Sequence, residues 1–64
     1  MQDWQQRVVA EREQLQHRMG KLNAFLDTDE YEKLDKEHRS LLQQQLIHMS
    51  RYHDILRKRI ELFK

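Results

Sequence analysis

The chain of 64 residues has no proline and a single glycine, Gly20. Sheets built from hairpins need turn residues that tolerate positive φ, and this sequence offers almost none. A glycine-rich loop that cradles phosphate is excluded for the same reason. The apolar positions point to helix instead. Trp4, Val8, Leu15, Met19, Leu22 and Leu26 follow one another at intervals of four, seven, four, three and four. That spacing is a helical stripe and not a strand.

It predicts a first helix from about residue 3 to about residue 26, with Asp3 as its N-cap. Gly20 weakens this helix by roughly 1 kcal/mol relative to alanine. Because the pattern continues through Leu22, Phe25 and Leu26, Gly20 is expected to be a close-packing point and not a break. Asp27-Thr28-Asp29 is a run of capping residues, whose short oxygens accept from free N–H groups at a new helix start. Glu30-Tyr31-Glu32-Lys33-Leu34 follows as one turn, with Tyr31 and Leu34 facing inward. Asp35 then caps a second long helix that opens at Lys36. One stripe of that helix carries Leu42, Leu46, Met49, Leu56, Ile60 and Phe63, with Leu41, Tyr52, Ile55 and Leu62 beside it. Asp35–Arg39 and Asp54–Lys58 have the acid-before-base i,i+4 spacing of helix-stabilising pairs.

The expected architecture is all-α: residues 1–64 form a single helical hairpin domain, two long antiparallel helices joined by a short helical corner. A helix of about 25 residues is roughly 38 Å long. A compact globule of this size would be only about 27 Å across. The second helix is apolar over more than one stripe, wider than one partner helix can cover. The hairpin is therefore expected to be an obligate homo-oligomer, minimally a four-helix dimer.

Composition narrows the chemistry. Cysteine is absent, so there is no disulfide, thiolate nucleophile or thiolate ligand. Charged residues make up 36% of the chain, yet the net charge is +1, which argues against a bare polybasic tail and leaves room for local basic patches. No apolar run is long enough to span a bilayer, and Met1-Gln2-Asp3-Trp4 lacks the basic-then-apolar order of a signal peptide. A soluble cytoplasmic protein is expected, with no membrane partner. None of His17, His38, His48 and His53 stands at i,i+3 or i,i+4 from another, so no metal site is expected. Ser40 and Ser50 lack a Ser-His-acid spacing. The chain is expected to be neither an enzyme nor a cofactor carrier.

The cations divide unevenly. Arg57, Lys58, Arg59 and Lys64 crowd the end of the second helix. For Arg57 and Lys58, complementarity to the helix dipole is a sufficient account. Arg59, three residues beyond Leu56, and Lys21, beside Leu22 and Phe25, are expected at inward positions, which are expensive for a cation unless an anion meets it. Trp4, Phe25, Tyr31, Tyr52 and Phe63 are the rings available to stack on a base, and each also fits a core. Trp4, flanked by Gln2, Gln5 and Gln6, suits a base platform or a staple against the other helix's end equally well.

The joint order of residues is more specific than any single pattern. Gln6-Arg7-Val8-Val9-Ala10-Glu11, then Leu15, then Lys21-Leu22-x-Ala24-Phe25-Leu26 closes the first helix. Leu41-Leu42-x-x-Gln45-Leu46-x-x-Met49-x-x-Tyr52-x-x-Ile55-Leu56-x-x-Arg59-Ile60 forms the second. Over nearly the whole chain this resembles the helical-hairpin region of the bacteriophage anti-CBASS and anti-Thoeris sponge proteins. The resemblance implies a protein that binds immune cyclic-nucleotide messengers without cleaving them. Those messengers are cyclic di- or trinucleotides, or molecules of the cyclic ADP-ribose type. It implies a homo-oligomer, typically a hexamer, with pockets between protomers, working in the cytoplasm of an infected bacterium. One implied pocket uses a residue early in the first helix (Trp4, Gln6 or Arg7) together with Lys21. A second uses Asn23, where a threonine is the family's residue, together with Arg59. Phe25, beside Lys21, completes the candidate ligand contacts. The alternative is a structural or regulatory hairpin oligomer, including one that binds nucleic acid through its basic end; such binding would weaken steeply with salt.

Overall fold

The computed structural model describes residues 1–63; Lys64, counted above in the basic end, lies outside them. Three helices follow in order: α1 (Asp3–Phe25), the single turn α2 (Asp29–Glu32) and α3 (Lys36–Glu61). α1 and α3 pack against each other as an antiparallel hairpin. The molecule measures 47 × 14 × 14 Å, with a radius of gyration of 14.7 Å, well above the ~11 Å of a compact domain of this length.

α1 starts one residue earlier than its sequence signal. Gln2 is the N-cap, and Gln5 Oε1 accepts from its backbone N–H at 2.9 Å. Asp3 falls inside the first turn instead of capping it, where its charge faces the positive end of the helix. The corner turns with no positive φ anywhere. Asp27 N–H bonds the Ala24 carbonyl at 3.2 Å and Thr28 N–H the Phe25 carbonyl at 3.1 Å, tightening the last turn. The Thr28 hydroxyl then acts on both sides of the break. It donates to the Phe25 carbonyl at 2.6 Å and accepts from Tyr31 N–H at 3.3 Å, so one side chain ends α1 and caps α2. Asp35 caps α3 as its position suggests, accepting from His38 N–H at 2.7 Å. The expected Asp35–Arg39 ion pair does not form.

Gly20 lies within an unbroken α1, yet a Cβ built there would meet nothing within 4 Å. Within one chain it is not a close-packing point: it borders an open cleft between α1 and α3, with Leu46 and Ser50 on the far wall. The seam itself is thin. Val8, Leu15 and Leu56 form its buried centre, with Met19, Met49, Ile60 and Phe63 packed around them. Leu56 alone is fully enclosed, at 0% exposure. Each pole is closed by an edge-to-face aromatic pair: Trp4 on Phe63 at the open end (5.2 Å between centroids) and Phe25 on Tyr31 at the corner (6.2 Å). The second stripe of α3 stays out of this seam: Leu41, Tyr52, Ile55 and Leu62 are all exposed, Leu62 by 75%. Among the described residues no helix is long and apolar enough to cross a membrane.

Leu56→Ala should therefore cost about 2–5 kcal/mol and lower the denaturation midpoint, as followed by circular dichroism. A loss below 1 kcal/mol by that measure would mean that the seam is not centred on Leu56.

Candidate functional site

The two helices run antiparallel, so the candidate residues sort by pole. At the open pole, Trp4 and Gln5 from the first turns of α1 meet Arg59, Leu62 and Phe63 from the end of α3 around a cleft of about 370 Å³. Phe63 holds the indole edge-on, and half of Trp4 stays exposed. The staple and the platform proposed for Trp4 are thus compatible: the ring packs on Phe63 and still leaves half of its surface exposed. Gln6 points to solvent and donates from Nε2 to the Met1 carbonyl at 3.4 Å. Arg7 is exposed on the same turn.

Lys21 and Asn23 belong to the corner half. Asn23 lines a cleft of about 350 Å³ with Met19, Gly20, Leu46 and Ser50, and a second with Ala24, Leu26 and Asp27. Phe25 is half-buried against Tyr31, so its ring serves the corner first. Along α1, Trp4 and Lys21 are about 25 Å apart at 1.5 Å per residue. Asn23 sits at the level of Leu46 and Ser50, and Arg59 lies about 14 Å further along α3 than Ser50. One chain therefore joins Trp4 to Arg59, but neither Trp4 to Lys21 nor Asn23 to Arg59.

Lys21 and Arg59 are not inward in the hairpin; both are exposed. Arg59 lies on the outer stripe with Tyr52, Ile55 and Leu62, about 60° around the helix from Leu56, and Lys21 directly precedes the half-buried Leu22. Neither belongs to an ion pair among the described residues. The ion pairs among the described residues are Arg57–Asp54 (2.7 Å), Arg57–Glu61 (2.6 Å) and Lys58–Asp54 (3.1 Å). Arg57 and Lys58 thus face carboxylates as well as the helix dipole, and hydrogen bonds from Arg57 and then Lys58 hold the Asp54 carboxyl below its ordinary range. Arg59 meets no carboxylate among the described residues.

One polar contact crosses the hairpin: the Tyr52 hydroxyl donates to Glu11 Oε1. That hydrogen bond, then desolvation and the Glu11 charge, raise the Tyr52 pKa against the opposing field of Arg59. Four polar residues that the sequence did not group also come together. Lys36, Arg39, Ser40 and Gln43, at i, i+3, i+4 and i+7 of α3, line a cleft of about 340 Å³ with Tyr31. Their helical spacing was the available signal, obscured by the acidic residues around them. Among the described residues no three His, Cys, Asp or Glu side chains converge as a metal site would require.

Fold and site together define an all-helical hairpin with an aromatic–cation cleft at its open pole. The chain belongs to the Sequestin family, whose sequence profile matches residues 2–62; the family's name is compatible with a sequestering role. No curated protein and no solved structure gives a match.

Because the folded pKa of Tyr52 is raised, its bond to Glu11 stabilises the hairpin below the ordinary tyrosine pKa and is lost as pH rises through the folded value. Glu11→Gln should return the Tyr52 ultraviolet titration toward the ordinary value and flatten that alkaline loss. A Tyr52 titration unmoved by the substitution would contradict the contact.

Proposed function

We propose that the protein sequesters a cyclic oligonucleotide messenger without cleaving it, in pockets completed by a second copy of the chain. The observation that carries this reading is the open-pole cleft, where the exposed part of the Trp4 indole stands with an Arg59 guanidinium that has no carboxylate partner. A base stacks on an aromatic face while an arginine takes a phosphate by charge-assisted hydrogen bonds. Cyclic oligonucleotides present both groups in a closed, repeated array. Membership of the Sequestin family agrees with binding as the protein's role.

The split of candidates between poles supports the second half of the proposal. In an antiparallel pair of hairpins, the open pole of each copy lies alongside the corner half of its partner. That single arrangement sets an early α1 residue near the other copy's Lys21, and Arg59 near the other copy's Asn23, the two combinations one chain keeps apart. The contact surface is the outer stripe of α3. Leu41, Ile55 and Leu62 recur there at multiples of seven residues, each more than half exposed, the repeat of a helix seam awaiting a partner. Twofold pairing supplies two copies of every cation and ring, and further copies build the pair into a homohexamer. The working compartment in this reading is the cytoplasm of an infected bacterium.

A nucleic-acid-binding role for the basic end is less well supported. Two of its cations, Arg57 and Lys58, are already paired with Asp54 and Glu61, which leaves little free charge to track a phosphate backbone.

Two results test the proposal. Messenger mixed with the protein should vanish from the free pool and return intact on heating; linearised nucleotide produced in proportion to protein would make it an enzyme instead. For the shared pocket, Trp4→Ala and Lys21→Ala should each lose binding. Co-refolded in equal amounts they should regain about a quarter of the sites, because half of the pairs are mixed and each mixed pair rebuilds one of its two pockets. No regain on mixing would mean that the two residues do not share a pocket.

A further inference from the structure

We propose that the corner cleft beneath Tyr31 is a binding site for a phosphate group, held by Lys36 and Arg39 with Ser40 and Gln43. It is independent of the open-pole cleft, since Arg39 and Arg59 are about 30 Å apart along α3.

The chemistry of the lining is that of a donor-rich cup. Tyr31, Lys36, Arg39, Ser40 and Gln43 surround about 340 Å³, and no carboxylate is among them. Arg39 is half-buried, and its Nε is shielded from solvent with no hydrogen-bond acceptor. A shielded guanidinium N–H left without an acceptor is unfavourable by more than an ordinary neutral group. Its nearest sequence candidate for a partner, Asp35, accepts from His38 N–H instead. Neither Lys36 nor Arg39 belongs to an ion pair among the described residues.

The neighbouring polar groups are arranged so that their free hydrogens remain available. Gln43 Nε2 donates to the Tyr31 hydroxyl at 2.6 Å, which fixes the amide and leaves its second N–H free. The Tyr31 hydroxyl in turn donates to the Arg39 carbonyl at 3.4 Å, tying the buried ring to the turn that carries the guanidinium. Ser40 Oγ accepts from Gln44 Nε2 at 3.2 Å, so its own proton can be donated elsewhere. An ammonium, a guanidinium, a hydroxyl and an amide N–H thus share one cleft. A metal cation would be repelled there. A neutral apolar ligand would leave these donors without acceptors. A tetrahedral oxyanion engages them, because its several oxygens accept from donors on different sides at once, with the Arg39 guanidinium as the planar fork suited to two of them.

The test is a titration of the isotope-labelled full chain, followed at the Arg39 Nε–H resonance. Inorganic phosphate, adenosine monophosphate and adenosine are the probes. Phosphate should shift that resonance saturably in the millimolar range, adenosine monophosphate at least as tightly, and adenosine not at all. Equal affinity for the first two identifies free phosphate as the ligand; tighter binding of the monophosphate identifies a phosphate ester. Lys36→Gln, at an exposed position that leaves the fold intact, should weaken binding about tenfold, the size of one charge-assisted contact. Arg39→Gln, read at the Gln43 side-chain amide, should abolish it. Trp4→Ala and Arg59→Ala should leave it unchanged, which separates this site from the messenger pocket. The proposal is overturned if no saturable shift appears with either phosphate probe, or if the Arg57 Nε–H responds equally, since the cations would then act only as a diffuse field.

Discussion

Everything in this structure follows from packing only two long helices together. A pair of helices shares one seam, and here that seam fully encloses a single side chain, Leu56. Its continuity is also broken. Arg12 stands on α1 between Val8 and Leu15 at seam spacing, and His53 stands on α3 between Met49 and Leu56. The Glu11–Tyr52 hydrogen bond, one residue away from each, puts the two at the same level. Both are half-buried, and Arg12 Nε and His53 Nε2 are shielded without a hydrogen-bond partner. A polar layer left unsatisfied weakens the seam where it would otherwise be strongest. The hairpin keeps its alignment through its ends, where Trp4–Phe63 and Phe25–Tyr31 close the two poles.

That economy shapes function. With no interior large enough to enclose a ligand, every candidate contact is on the outside, and antiparallel topology distributes them to opposite poles. Trp4 and Arg59 share one end; Lys21 and Asn23 share the other half. Exposure of uncompensated cations and of an apolar stripe has a common physical reading in the proposal above: the surfaces unfinished in one chain would be finished by another, with the ligand where they meet. Family membership fixes the kinship of the chain without fixing its ligand.

Much of the fold was legible because the signals were local. Thr28 and Asp35 cap as their positions suggest, and the stripe from Leu42 to Phe63 is the one that packs. Errors arose where a residue had two local roles open to it. Of the two contacts open to Asp35, the cap of α3 forms and the ion pair with Arg39 does not. Asp3 yields the cap to Gln2 because the first turn of α1 extends through it. Lys21 and Arg59 looked inward because Leu22 and Leu56 near them in the pattern are inward; Lys21 stands 100° around the helix from Leu22 and Arg59 about 60° from Leu56, enough to carry a long side chain from seam to solvent. The gaps at Arg12 and His53 in otherwise apolar spacing, and the Lys36–Gln43 face, were visible in principle. Neither has an apolar or motif signature to draw attention to it, and their significance depends on which nitrogens the fold shields.

The central claim is that one hairpin is an incomplete folding unit whose outer α3 stripe is covered by another copy. Thermal unfolding across a wide range of protein concentration, with sedimentation equilibrium on the same samples, tests it most directly. An obligate assembly couples folding to association, so the account predicts a melting temperature that rises with concentration and no folded species of hairpin mass. A folded monomer at micromolar concentration, melting at a temperature independent of concentration, would contradict it.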